Sequence, residues 1–141
     1  MQEVEELKDS ILDSLAAHVA VLDSKGYIIA VNLAWRNVCA ENSQEGKRAN
    51  AGLGENYLKI CESANGENSD EARDMYLGLL SVLQEESLIY CIEYPCHSPT
   101  EKRWFRAYAT KMSFVSSIYF IVAHLNITDE VLSGQITNVR A

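Results

Sequence analysis

Two apolar runs, ending at Leu22 and starting at Tyr27, are separated only by Asp23-Ser-Lys-Gly26, and the second stops at Asn32. Aspartate accepts a local backbone hydrogen bond and glycine supplies the positive φ that closes such a turn. Val19 to Val31 is therefore expected to be a β-hairpin, and Asn32 a helix cap. The far end of the chain carries a matching signal. Ile118 to Leu125 is nearly all apolar and leads into Asn126-Ile-Thr-Asp129, a buried strand running into a helix start.

Between these brackets the clearest periodicity is Ala72, Met75, Tyr76, Leu79, Leu80 and Leu83, one continuous apolar helix face. Asn68 with Glu71 fits a capping-box start, and Asp70 and Asp74 suit the positive helix end. Leu88 to Tyr94 and Arg103 to Met112 are rich in aromatic and β-branched residues and read as strands, with Pro95 ending the first. Asn32 opens a helix carrying Trp35, Val38 and Cys39; residues 42–55 form a polar loop, and a short helix follows at about 56–64. Residues 4–15 place Val4, Leu7, Ile11, Leu12 and Leu15 at helical spacing with a narrow apolar stripe. That helix lies either on its own domain or against a partner as a dimer helix or coiled-coil linker. The resulting order, two strands, helices, then three strands, lacks βαβ alternation and implies an α+β fold with an antiparallel sheet.

At 141 residues the chain has room for one domain. Its charge of −8 disfavours nucleic acid and anionic membrane as partners. Lys102, Arg103, Arg106 and Lys111 form a basic strand mixed with aromatics, but they sit in a repulsive overall field. The longest apolar run is too short to span a bilayer, and the acidic N-terminus is unlike an export signal, so a cytoplasmic location is expected. Cys39, Cys61, Cys91 and Cys96 have no paired spacing and are expected to be reduced, mostly buried thiols.

The strand and helix order resembles that of the PAS domain, a sensory module of bacterial signalling proteins, over about residues 10–130. Asn126-Ile-Thr-Asp129 is similar to the Asp-Ile-Thr-Glu motif that closes such domains, with asparagine in place of the first aspartate, so a salt bridge there is lost while a hydrogen bond can remain. Glu93-Tyr-Pro-Cys-His-Ser-Pro-Thr-Glu-Lys-Arg-Trp-Phe105 and Gly54-Glu-Asn-Tyr-Leu-Lys-Ile-Cys61 resemble a subgroup found in sensor histidine kinases and GGDEF-type diguanylate cyclases. The resemblance implies a five-stranded antiparallel sheet with helices on one face. It divides the chain into an N-terminal helix or linker (1–15), the domain (16–128) and the start of a C-terminal signalling helix (129–141). Thr128 is then expected to cap that last helix.

The same resemblance frames the cofactor question. Flavin photosensors of this fold carry Gly-x-Asn-Cys; here Gly54-Glu-Asn56 is followed by Tyr57, which cannot form the thiol adduct. Haem-binding members present a histidine from the long helix, and residues 69–87 contain none. Neither haem nor photoactive flavin is expected, and an unknown small ligand remains open. Cys61, Cys91, Cys96 and His97 lack the closed spacing of a zinc site, so no metal is expected. His97 and Glu93 have no recognisable nucleophile or phosphate loop beside them, so no catalytic residue is assigned; Glu93 is expected to pair with Arg103 or Arg106.

The candidates for lining a ligand cavity are Trp35, Cys39, Tyr57, Tyr76, Tyr90, Trp104 and His124, with side chains that simply fill the space as the alternative. His124 is either a satisfied core histidine or a ligand contact. The expected function is a sensory module that binds a small molecule, or dimerises through its flanking helices, to regulate an output domain in the same parent chain, a cyclase or kinase. A ligand-free dimerisation module is the other reading.

Overall fold

The Asp23 turn forms as its chemistry dictates. Asp23 Oδ1 accepts from the backbone N–H groups of Lys25 (2.9 Å) and Tyr27 (3.0 Å), and Gly26 closes the turn at φ +95°. A side chain at Gly26 would also meet Leu58 Cδ1 at 2.9 Å. The turn joins β1 (His18–Leu22) to β2 (Ile28–Val31). A computed structural model describes residues 2–42, 51–62, 69–84, 89–97 and 99–137 of the chain.

The remaining elements are α1 (Gln2–Ser14), α2 (Leu33–Asn42), α3 (Tyr57–Glu62), α4 (Ser69–Leu83), β3 (Ile89–Pro95), β4 (Trp104–Phe114), β5 (Ser117–Asn126) and α5 (Thr128–Leu132). All strand pairs are antiparallel, in the order β2-β1-β5-β4-β3, so the two strands predicted from the opposite ends of the sequence lie side by side at the sheet's centre. Within the expected polar loop, residues 43–50 lie outside the described residues, as do Asn68 of the expected capping box and Leu88.

Alternation divides the sheet cleanly. Ala20, Leu22, Ala107, Ala109, Phe120 and Val122 face inward and are buried against Trp35, Tyr57, Cys61, Met75, Leu79 and Val82 from α2, α3 and α4. The alanines and valines at the centre let the helices approach, while Phe120 and the helix side chains fill the volume. The outer face carries Val21, Tyr119 and Ile121 beside the apolar stripe of α1, with a groove of about 560 Å³ between them. Helices thus stand on both sides: three close the core and α1 leans over the opposite face, with no residue of its own buried.

Asn32 fixes this arrangement. Its side chain is fully buried, and its Oδ1 accepts from Val19 N–H (2.9 Å) and, as the α2 cap, from Trp35 N–H (3.0 Å). Its Nδ2 donates to the carbonyls of Leu12 and Ala17, both at 2.9 Å. One amide therefore joins α1, β1 and α2 with every hydrogen-bonding position used. Leu33 N–H adds a second tie, donating to Asp13 Oδ1 at 2.8 Å.

Two expectations at the C-terminus are corrected. Thr128 does not cap α5: it is the first helical residue, and its hydroxyl accepts instead from Trp104 N–H at 3.0 Å, pinning the helix start to β4. Asn126 Oδ1 accepts from Thr128 N–H at 3.0 Å, the hydrogen bond that the asparagine was expected to retain. The signalling helix expected over 129–141 is a single short turn ending at Leu132. Gly134, at φ +81°, turns the chain there and donates to Val131 O, and Ile136 N–H returns to Glu130 O. Residues 138–141 lie outside the described part.

Candidate functional site

Where α2 spreads from the sheet, a cavity of about 210 Å³ opens between Trp35, Val38 and Cys39 on the helix and His18, Tyr94, Phe105 and His124 on four strands. Cys96 and Arg103, which follow β3 and precede β4, complete its wall. Sheet register builds this cluster: His18 pairs with His124 across β1 and β5, and Tyr94 with Phe105 across β3 and β4. The Tyr94 and Phe105 rings stack at 5.9 Å, and Trp35 lies 6.1 Å from the His124 ring.

His124 is the polar centre. Its Nδ1 lies 2.9 Å from the Tyr94 hydroxyl and its Nε2 3.4 Å from the Tyr57 hydroxyl. Burial drives its pKa down to about 4, and the nearby imidazole of His18 acts in the same direction. The ring is therefore neutral near pH 7, donating one of these bonds and accepting the other, and the tautomer decides which. A ligand that took a hydrogen bond from either tyrosine would alter both.

The hydrogen-bonding of the wall is equally specific. The Trp35 indole N–H donates to Ala51 O at 2.8 Å, which fixes the ring at the cavity edge. Arg103 Nε donates to Cys96 O at 3.0 Å, and the Arg103 backbone N–H to His97 Nδ1 at 3.0 Å. The guanidinium is thus held at one nitrogen, Nε.

Of the residues singled out from sequence, Trp35, Cys39 and His124 line the cavity, and Tyr57 stands behind His124, its ring 6.0 Å from Trp35. Tyr76 and Tyr90 pack on the core away from it. Tyr76 sits beside Glu62, whose hydrogen bond holds the phenol above its ordinary pKa, and Tyr90 lies flat over Gly78 of α4. Trp104 alternates to the other side of β4, buried with the His97 ring edge-on at 5.0 Å. Its neighbour Phe105 takes the cavity position. The sequence held a signal for this: Glu93 and Arg106 carry charge, so they mark the outer face, and Tyr94 and Phe105 must then point inward. His18, Val38, Cys96 and Arg103 gave no comparable sign.

Glu93 pairs with Arg106, not Arg103. Arg106 Nε donates to Glu93 Oε2 at 2.9 Å, its Nη2 contacts the same oxygen, and this bonding raises the guanidinium pKa further. Both side chains are more than a quarter exposed, so the pair contributes at most about 1 kcal/mol. The thiols do not converge. Cys61 is in the core and Cys96 borders the cavity, whereas Cys91, expected to be buried, is exposed on the outer face because it alternates with Tyr90 and Ile92. Among the described residues no helix is long and apolar enough to cross a membrane.

No protein-family model matches the chain. A protein of Rhodobacter capsulatus described as an uncharacterized 104.1 kDa protein in the hypE 3′ region is 36% identical over 124 residues. The match takes in 87% of this chain but only 13% of that protein's length. Among solved structures, the PAS domain of BvgS from Bordetella pertussis has a TM-score of 0.61 and 17% identity, covering 94% of each chain. A PAS domain from an HTR-like protein of Haloarcula marismortui has a TM-score of 0.53 and 17% identity, covering 89% of this chain and 93% of that one. The PAS domain of a two-component sensor histidine kinase has a TM-score of 0.53 and 13% identity, covering 89% of this chain and 99% of that one. The chain has the PAS fold.

Proposed function

We propose that this PAS-fold chain is a sensory signalling module, in which a small molecule enters the cavity beside His124 and shifts α2 against the sheet. One observation carries the reading: the cavity is coupled to α1 through a short run of hydrogen-bonded groups. Trp35 lines the cavity, its backbone N–H is capped by Asn32, and Asn32 holds the Leu12 carbonyl of α1. Motion of Trp35 therefore bears on the helix leading out of the domain. A ligand acts by favouring one of two packings, and only to the extent that it binds them unequally. With α5 so short, α1 is the stronger candidate for the output lever. Regulation of a kinase or diguanylate cyclase region in a longer parent chain fits both the subgroup resemblance and the small share of the Rhodobacter protein that the match covers. In this reading the domain itself performs no catalysis and works in the cytoplasm.

The test is native mass spectrometry of the purified chain against its denatured mass. Extra mass that is lost on denaturation, and reduced in Trp35→Ala, supports the sensor. A bare mass, with no small molecule from a metabolite screen shifting the melting temperature, overturns it.

A second reading, dimerisation through α1 and the outer sheet face, is favoured by a separate observation. Val4, Leu7 and Ile11 remain exposed beside a sheet face where Ile29 and Met112 are also exposed. Covering that surface with a second copy would remove it from water. Sedimentation of the wild type and of Leu7→Glu distinguishes the readings: loss of a dimer without loss of ligand binding separates association from sensing.

A further inference from the structure

We propose that the cavity takes a small aromatic carboxylate, with the Arg103 guanidinium as the partner of its anionic group. The inference rests on the sensor reading and narrows it to a ligand class.

Charge supplies the first step. The chain carries 20 acidic residues against 12 lysines and arginines, yet among the described residues no aspartate or glutamate lines the cavity. Among the described residues Arg103 is the one permanently charged group in its wall. Glu93 on β3 is engaged by Arg106 on the opposite face of the sheet. Among the described residues Arg103 makes no ion pair. A carboxylate suits the outer edge of its fork, where two parallel N–H···O bonds can form. The side chain is already oriented, because Nε is tied to Cys96 O at 3.0 Å, so binding does not have to order a free arginine.

The rest of the wall fixes the body of the ligand. Trp35, Tyr94 and Phe105 present three rings, and aromatic faces favour another ring at offset or edge contact. The volume, about 210 Å³, exceeds the roughly 150 Å³ of an engineered cavity that accepts benzene, leaving room for one ring and a short carboxylate arm. It lies below the roughly 300–1,000 Å³ typical of sites for drug-sized molecules, so nucleotides and flavins are too large. The neutral His124, bonded to the Tyr94 and Tyr57 hydroxyls, brings no negative charge to compete with a carboxylate.

The test is isothermal titration of the full chain at pH 7 with benzoate and phenylacetate, against their uncharged counterparts benzamide and phenylacetamide. At least one acid is expected to bind tighter than its amide by on the order of tenfold to a hundredfold, the range of a charge-assisted hydrogen bond. Arg103→Gln should erase that preference, bringing acid and amide to similar affinity, and Arg103→Lys should restore part of it. Loss of the tryptophan fluorescence response in Trp35→Phe would place the acid in this cavity. Equal binding of acid and amide, or a preference that survives Arg103→Gln, overturns the anion assignment but leaves a ligand-binding cavity in place. Absence of binding by all four probes also overturns this inference, whereas the sensor reading then still answers to the native mass comparison.

Discussion

The two faces of the sheet are made from the same five strands and obey different rules. Inward-facing Ala20, Ala107, Ala109 and Val122 have no exposed surface, and each has helix atoms against it. Outward, apolar side chains of similar kind stay in water: Ile29 is 48% exposed and Phe114 64%. Burial on the inner face accounts for the stability of the monomer, since apolar area removed from water is the main favourable term in folding. The outer face and α1 add little to it, so their apolar groups are available for association. The cavity lies at the inner face, and Asn32 is the joint between the two sides. Perturbing each side separately should give opposite results in stability and in assembly.

The largest effect is expected at the joint. Asn32→Leu keeps the volume but strands Val19 N–H, Trp35 N–H and the Leu12 and Ala17 carbonyls. The loss of several satisfied buried groups should cost about 4 kcal/mol or more. Urea unfolding of the variant checks this, and Asn32→Asp should fail similarly because its carboxylate would face two carbonyl oxygens. If Asn32→Leu unfolds at the wild-type midpoint, α1 and α2 are not coupled through this residue.

Next comes pH, acting on the inner face alone. His124 is neutral in the folded state to about pH 4, while an unfolded histidine binds its proton near pH 6.5. Between these values the unfolded chain holds more protons, so stability falls as pH drops from about 6.5 towards 4. The shift corresponds to at most about 3 kcal/mol. Carboxylates titrate in the same range, so the informative quantity is the difference between the wild type and His124→Gln in urea midpoints at pH 7 and pH 4.5. The variant should lose part of the acid sensitivity; equal slopes would mean that His124 titrates freely in the folded protein.

A smaller inner-face effect is expected at Gly78. An added Cβ would sit 2.2 Å from the Tyr90 ring, so the ring must move or α4 must lift from β3. Such overpacking costs about 1–3 kcal/mol, partly offset by the roughly 1 kcal/mol by which alanine improves on glycine within a helix. Gly78→Ala should therefore lower the urea midpoint by the equivalent of about 1 kcal/mol. A rise in the midpoint would show that Tyr90 moves freely.

These sites also show how much of the molecule could be read in advance. The hairpin at Asp23, the cap at Asn32, the face of α4 and the three later strands follow from local rules: turn chemistry, capping and period. The cavity is different, because it is assembled by register. His18 and His124 are far apart in sequence and meet only because β1 and β5 pair, and Arg103 joins them through a bond to Cys96. Trp104 is among the expected cavity residues, yet alternation along β4 gives that place to Phe105. The end of α5 is less legible, because Val131 and Leu132 look helical while Gly134, two residues past Leu132 and at φ +81°, turns the chain.

The smallest effect in stability lies on the outer face and sharpens the contrast most. The β4–β5 hairpin turns through Val115 at φ +48° and Ser116 at φ +63°, the left-handed conformation that two-residue hairpins favour and that Asn-Gly suits best. Valine is a poor occupant, since its β-branched side chain clashes there, and it is also 78% exposed. The tip is thus strained and apolar, and no described residue covers it. Val115→Asn with Ser116→Gly should relieve the strain and raise stability by about 1 kcal/mol, or about 3 °C in melting temperature. If the outer face serves association, the same change should weaken self-association at high protein concentration, because Phe114 and Val115 border the surface that includes α1. A variant that melts higher and dimerises less would separate the two faces in one experiment. If it melts higher and associates as before, the contact surface lies nearer Leu7 and Ile29 and excludes the hairpin tip.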